Sequence, residues 1–195
     1  AMVYRNELES LQNQGTILDQ SAYLNKITQL FFFRKKLSTC YSEVYSTDPV
    51  FLALKDTVDR YSIQRDVFDD LISGMEDDLY PVQNKTWDEL RSYCYKVASA
   101  VGLILIEIYG YEDRAAQLHA VDLGIQMQLI NVLRDINEDM ERGRIYLPLD
   151  ILASHNISIH DLHQTNVAKS PSWRGFIIEY VEMIKRHRSS ANHLF

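Results

Sequence analysis

The hydrophobic pattern of this chain is helical, and its longest regular stretch runs from Arg114 to Arg142. Apolar side chains recur there every three or four residues, which predicts one long helix whose flanks are covered by neighbouring helices. Gly143 suits the C-terminal cap of this helix, and Pro148 prevents the helix from resuming. Similar spacing recurs on both sides of this stretch, so the pattern predicts an all-α fold.

Local signals mark the starts of other helices. Thr86 is followed three residues later by a glutamate, which is the spacing of a capping box. Thr47 or Asp48 can cap a helix that has Pro49 in its first turn. The run from Val101 to Ile108 contains enough β-branched residues for a buried strand, but the long helical patterns around it predict a helix.

A polar stripe lies on the long helix. Gln128, Asn131, Asp135 and Asp139 follow one another at steps of three, four and four residues, so they share one face. Side chains four residues apart lie about 5–6 Å from each other at Cβ, so both carboxylates can reach one hard cation or a pair of cations. With Arg134 beside the stripe, the pattern suits a magnesium-bound phosphate group. Acidic residues at this spacing are also common on solvated helix faces, and the spacing alone does not decide between the two.

Composition predicts one globular domain over residues 1–195, because 46% of the residues are hydrophobic and only 7 are Gly and 4 Pro. The 20 basic and 27 acidic residues give a net charge of −7, which disfavours nucleic acid as a partner. Cys40 and Cys94 lack the spacing of a zinc site, which indicates free thiols in a reducing compartment.

No basic stretch leads into an apolar run at the start of the sequence. The longest apolar runs, Leu30–Phe33 and Val97–Ile106, are shorter than the roughly 20 residues of a spanning helix. We therefore expect a cytoplasmic protein, and peripheral association with a membrane stays open.

Three ordered blocks carry a resemblance to a known family. The first comprises Phe68, Leu71-Ile72, Gly74-Met75 and Asp78-Leu79; the second comprises Tyr93-Cys94-Tyr95, Val97-Ala98 and Val101-Gly102; the third comprises Leu123-Gly124, Gln128-Leu129, Asn131, Leu133-Arg134-Asp135, Glu138-Asp139, Arg142-Gly143-Arg144 and Tyr146-Leu147-Pro148. They resemble the segments F-x-D-L-I-x-G-M-x-x-D-L and Y-C-Y-x-V-A-G-x-V-G and the second aspartate-rich signature of the squalene/phytoene synthases. Ser73 and Ser99 depart from the usual acidic residue and glycine.

The resemblance implies an isoprenoid-synthase-type helical bundle with a central cavity. It implies a Mg²⁺-dependent prenyltransferase that joins two farnesyl or geranylgeranyl diphosphates head to head. A cyclopropylcarbinyl diphosphate then leads to a squalene-, dehydrosqualene- or phytoene-type product. The sequence contains no G-x-G-x-x-G, so a hydride step from a nicotinamide cofactor has no support in it.

The resemblance also implies roles for the polar stripe. Asp135 and Asp139 would hold magnesium, and Asn131 and Gln128 would bind metal or diphosphate oxygens. Arg134 would pair with a phosphate or orient Asp135.

Expected roles or positions can also be given for Tyr146, for Asp78 and for one aromatic run. Tyr146 would donate a hydrogen bond to the diphosphate. Asp78 is expected to point inward. The run Phe31 to Phe33 fits an isoprenoid-binding wall, but aromatic runs more often belong to a core, and we expect core.

The first aspartate-rich motif of the family, D-D-x-x-D, does not occur before Phe68, and the sequence ends inside a helical pattern at Phe195. We therefore expect a middle portion of the family's domain, impaired as a synthase and prone to self-association through uncovered apolar faces. Two other functions stay open: a prenyl diphosphate phosphatase or binding protein, and a family-like assembly protein without catalysis.

Overall fold

The computed structural model describes residues 20–44, 46–79, 84–164 and 166–191, and these ranges contain helices and no β-strand. The helices are α1 (Gln20–Cys40), α2 (Pro49–Tyr61), α3 (Arg65–Asp77), α4 (Trp87–Cys94), α5 (Ala100–Tyr109), α6 (Ala115–Arg134), α7 (Ile136–Glu141), α8 (Leu149–Ser154), α9 (Ile159–Leu162) and α10 (Pro171–Ala191), with a π-helical turn at Tyr95–Ser99 and a 3₁₀ turn at Val167–Lys169. The predicted all-α fold is confirmed.

The helix ends follow the local sequence signals. The Asp48 carboxylate accepts a hydrogen bond from the Val50 backbone N–H at the start of α2. Thr86 and Glu89 form the predicted capping box at the start of α4. Gly143 has a φ of 72°, the left-handed conformation that glycine adopts readily after a helix. Each of these signals acts within a few residues, so the sequence alone was enough to predict it.

The predicted continuous helix from Arg114 to Arg142 is wrong at Asp135, where the chain bends between α6 and α7. Asp135 has φ −99° and ψ 13°, outside the α-helical region. Its N–H still donates to the Asn131 carbonyl over 2.9 Å, and the Asp139 N–H donates to the Asp135 carbonyl over 2.9 Å. The four-residue spacing therefore persists through the bend, which is why a periodicity argument could not detect it.

α4, the π turn and α5 form one helical rod, Trp87–Tyr109, of 23 residues. By length and composition alone this rod is long and apolar enough to span a membrane. The expectation that every apolar stretch is too short to span a membrane therefore does not hold for this rod. The rod packs on α3 and on α6. Core helices of globular proteins pass the same length and composition test.

Helix α6 lies at the centre of the bundle and packs against α4, the π turn, α5 and α10. The main core is formed with α8 and α10, and it buries Leu90, Leu129, Phe176 and Tyr180 completely. A second apolar cluster joins α1, α2 and α3. The two cysteines are free and buried, as predicted.

The run Phe31 to Phe33 is not core within the described residues. The three side chains are 62%, 55% and 43% exposed, although Phe33 packs edge to face on Phe51 with ring centroids 5.2 Å apart. The buried face of α1 instead carries Leu37 and Cys40.

Candidate active site

An apolar groove of about 420 Å³ runs between the helical rod and α6. It is lined by Val97, Ala98, Val101, Gly102, Leu105, Ile106 and Tyr109 from the rod, and by Ala120, Leu123, Gly124, Met127, Gln128 and Asn131 from α6. Along α6 the lining extends from Ala120 to Asn131, about 16 Å at about 1.5 Å per residue. The amides of Gln128 and Asn131 make one end of the groove polar.

The base of the groove is a very close approach between α6 and the π turn. A Cβ atom at Gly124 would lie 2.5 Å from the Cα of Ser99, so no larger residue fits there without movement of the backbone. The Ser99 hydroxyl, which is fully buried, donates a hydrogen bond to the Val121 carbonyl over 2.7 Å. This contact fixes the separation of the two groove walls.

The predicted stripe begins at the polar end of the groove and continues across the bend. Asn131 donates a hydrogen bond to the Gln128 amide oxygen over 3.4 Å. Arg134 binds both oxygens of Asp135, at 2.7 and 2.6 Å. This hydrogen-bonded arginine lowers the pKa of Asp135. Of the two roles expected for Arg134, the geometry matches the orientation of Asp135.

Asp139 lies one turn further along, half-buried. Burial raises the pKa of its carboxyl, and the neighbouring charge of Asp135 raises it further. The charges of Arg144 and Arg142 act in the opposite direction. A carboxylate whose ionisation is disfavoured by a neighbouring negative charge is a place where a bound cation relieves repulsion.

The donor set fits magnesium. Asn131, Asp135 and Asp139 offer oxygen ligands, which this hard cation prefers. In the part of the chain that the structure describes, no three acidic, histidine or cysteine side chains gather closely enough to hold a metal by themselves. An ion at this stripe would therefore take its remaining ligands from a diphosphate and from water.

A second polar cluster, the Asp78 cluster, joins α3, α4 and the segment after α7. The hydroxyls of Tyr93 and Tyr146 both donate to the same carboxylate oxygen of Asp78, over 2.9 and 2.8 Å. The two rings stack with centroids 4.9 Å apart, and Arg144 donates to the Asp78 backbone carbonyl over 3.1 Å. The inward position expected for Asp78 is confirmed.

The cluster also includes Tyr146, whose hydrogen bond to a diphosphate stays a prediction. In this structure its hydroxyl donates to Asp78. Burial raises the pKa of Tyr146 to about 12, and burial also raises the pKa of Tyr93 above its ordinary value. Tyr93 lies in the second block of the family resemblance, which implied no role for its hydroxyl.

Buried Asn84 holds the backbone of the segment after α7. Its side-chain amide donates to the Tyr146 backbone carbonyl over 2.9 Å, and its backbone carbonyl accepts from the Leu149 N–H over 3.0 Å. Tyr146 in turn shares the lining of a small cavity of about 10 Å³ with Asp139 and Arg144. The Asp78 cluster thus borders the carboxylate stripe through Tyr146 and Arg144.

A sequence model of the squalene/phytoene synthase family matches residues 14–195. The chain belongs to this family. A chloroplastic phytoene synthase 2 of Oryza sativa subsp. japonica is 41% identical over 131 residues, which cover 64% of this chain and 32% of the relative. A 15-cis-phytoene synthase of Synechocystis is 37% identical over 142 residues, which cover 67% of this chain and 42% of the relative. The chain spans less than half of the length of either.

Solved structures agree with the family assignment. A squalene synthase from Alicyclobacillus acidocaldarius has a TM-score of 0.79 at 24% identity and matches 86% of this chain and 63% of its own. A dehydrosqualene synthase in complex with ligand has a TM-score of 0.78 at 26% identity and matches 88% of this chain and 60% of its own. The squalene/phytoene synthase fold predicted from the motifs is therefore confirmed.

Proposed function

We propose that this chain carries part of the active site of a synthase that joins two prenyl diphosphates head to head. The observation that carries the proposal is the continuity of an apolar groove with a polar end at Gln128 and Asn131, directly followed by Asp135 and Asp139. A prenyl diphosphate has the matching shape, an apolar chain ending in a strongly charged head. Names of the related phytoene synthases support a phytoene-type product.

The polar stripe and the apolar walls of the groove would serve different steps of such a reaction. The stripe would hold the diphosphate: Asp135 and Asp139 through magnesium, and Gln128 and Asn131 through their amides. Magnesium, when bound, neutralises charge that builds up on the departing diphosphate. The apolar walls would exclude water, which otherwise captures the allylic cation as an alcohol.

Proton balance distinguishes the products. When a double bond of the second substrate captures the allylic cation, a C–H bond must break to close the cyclopropane ring, and a proton leaves. A phytoene- or dehydrosqualene-type product requires a second proton loss, whereas a squalene-type product requires a hydride instead. The sequence offers no dinucleotide-binding motif, so a hydride step has no support in it.

A phosphatase or binding function rests on the same stripe, because diphosphate can be bound, or released as prenyl alcohol, without condensation. Product analysis separates the functions. The chain is incubated with magnesium and with farnesyl or geranylgeranyl diphosphate, and the extract is analysed for hydrocarbon and alcohol.

Hydrocarbon that disappears in Asp139→Asn supports the synthase. Prenyl alcohol alone supports the phosphatase. Absence of both products, together with absence of binding to an unreactive prenyl thiodiphosphate, supports the assembly protein and contradicts our proposal.

A further inference from the structure

The two walls of the groove run in opposite directions, and contacts between them fix their register. A Cβ atom at Gly102 of the rod would lie 3.3 Å from the Ala120 carbonyl oxygen of α6. Farther along, the Gln117 side-chain amide donates to the Glu107 carboxylate over 2.9 Å. Residue numbers therefore rise along the rod as they fall along α6, and each level of the groove has a position on both helices.

The groove continues beyond the level of Ala120. From its polar end at Asn131 to Ala120 the lining spans about 16 Å at about 1.5 Å per residue. Ala120 is level with Gly102, and the rod lines the groove from there as far as Tyr109, which adds about 10 Å. The groove is therefore about 26 Å long, and its far section, Gly102 to Tyr109, is lined by the rod.

This length can be compared with prenyl chains. An extended chain advances about 1.2 Å per bond, so an isoprene unit, with four bonds along the chain, adds about 5 Å. With its first carbon beside Asn131, a farnesyl chain of three units ends about 15 Å away, level with Ala120 and Gly102. A geranylgeranyl chain has a fourth unit and ends about 20 Å away. That fourth unit would occupy the far section, which a farnesyl chain leaves empty.

The far section is apolar and open to solvent. Leu105 and Tyr109, one turn apart on the same face of the rod, are 40% and 79% exposed, and Ile106 lies between them in the lining. A fourth isoprene unit would cover part of this apolar surface. Transfer of its five carbon atoms out of water favours the longer chain.

Leu105 lies in the middle of the far section. It is three residues beyond Gly102 and so about 5 Å farther from the polar end, at the level of the fourth unit. Val101, one turn earlier on the same face, is level with the end of the third unit. We propose that Leu105 is a specificity-determining residue for chain length and that the groove selects a geranylgeranyl over a farnesyl chain. This inference rests on the proposed function and names its substrate.

Calorimetric titration of two unreactive analogues, geranylgeranyl and farnesyl thiodiphosphate, each with magnesium, tests the inference. Wild type should bind the longer analogue at least about tenfold more tightly, because the fourth unit is removed from water. Leu105→Trp fills the far section and should abolish this preference, while farnesyl affinity stays nearly unchanged. Leu105→Ala removes contact surface without adding volume, and it should also weaken only the longer analogue.

Two further variants locate the effect along the groove. Val101→Trp narrows the groove at the third unit and should weaken both analogues. Leu118→Trp is the matched control, because Leu118 is an exposed leucine of α6 outside the groove lining, and it should change neither affinity. Thermal midpoints show that each variant is folded.

The outcomes separate this inference from the proposed function. If wild type binds neither analogue in the presence of magnesium, the proposed function fails. If wild type binds both analogues equally, or binds the farnesyl analogue more tightly, the selection of the longer chain is wrong while the proposed function stands. A preference that persists in both Leu105 variants, or farnesyl affinity that falls as much as geranylgeranyl affinity, would overturn the role of Leu105.

Discussion

The contact between Gly124 and Ser99 offers the sharpest test of the packing. Replacement of a helical glycine by alanine normally stabilises a protein by about 1 kcal/mol, because alanine restricts the unfolded chain. At Gly124 the new Cβ would meet the Cα, N and Oγ atoms of Ser99 at 2.5, 2.6 and 2.7 Å. Overpacking of this kind costs about 1–3 kcal/mol, and more where backbone must move.

We therefore expect Gly124→Ala to lower the free energy of unfolding by about 2 kcal/mol, the upper overpacking value less the gain in helix propensity. For a chain of this length the thermal midpoint should fall by about 4–8 °C. Urea denaturation followed by circular dichroism measures the change. Gly102→Ala is the matched control, because its Cβ would lie 3.3 Å from its nearest neighbour, the Ala120 carbonyl oxygen. It should stay within about 1 kcal/mol of wild type.

The nearest atoms to the new Cβ belong to the Ser99 backbone. A second substitution, Ser99→Gly, removes only the Oγ contact and should not restore the lost stability. A Gly124→Ala variant as stable as wild type, or full rescue by Ser99→Gly, would refute the close approach of α6 and the π turn.

Three further predictions concern single groups. Asp139→Asn should raise the thermal midpoint at neutral pH. Because folding raises the pKa of this carboxyl, the protonated carboxyl stabilises the fold at low pH, and this contribution is lost as pH rises through the folded pKa. Asparagine stays uncharged at neutral pH, so it avoids this loss. A midpoint that falls at pH 7 would contradict this. Asn84→Ala should cost about 1–3 kcal/mol in urea denaturation, because the buried Tyr146 carbonyl loses its partner; an unchanged midpoint would refute it. Burial raises the pKa of the Cys94 thiol to about 12, so alkylation at pH 8 should require unfolding, and rapid labelling of folded protein would contradict the burial.

The sequence was sufficient for features that depend on neighbours in the chain. The Thr86 capping box, the Asp48 cap and the left-handed Gly143 each follow from residues within one helical turn. The three blocks that resemble the family predicted the fold, because they occur along the chain in the same order as in a family with a known helical bundle. They also placed Asp78 inward, which its charged neighbours alone did not indicate.

Features that depend on tertiary contacts were not predictable from periodicity. The bend at Asp135 leaves the hydrogen bonds on either side intact, so the spacing is unchanged. The π turn lies where α6 approaches Ser99, and no local residue pattern predicts it. The hydrogen bond of Tyr146 to Asp78 joins residues 68 positions apart in the sequence, so no local pattern could predict it.

The central claim is that the groove and the carboxylate stripe form one site for a prenyl diphosphate. Calorimetric titration of an unreactive farnesyl thiodiphosphate, with and without magnesium, tests it most directly. Magnesium should tighten binding at least about tenfold in wild type, since one charged head group and two carboxylates share the cation. Asp135→Asn should abolish this gain while the fold stays nearly unchanged, and Asp56→Asn, on the exposed surface of α2, should retain it. Equal affinity with and without magnesium in wild type would contradict the claim.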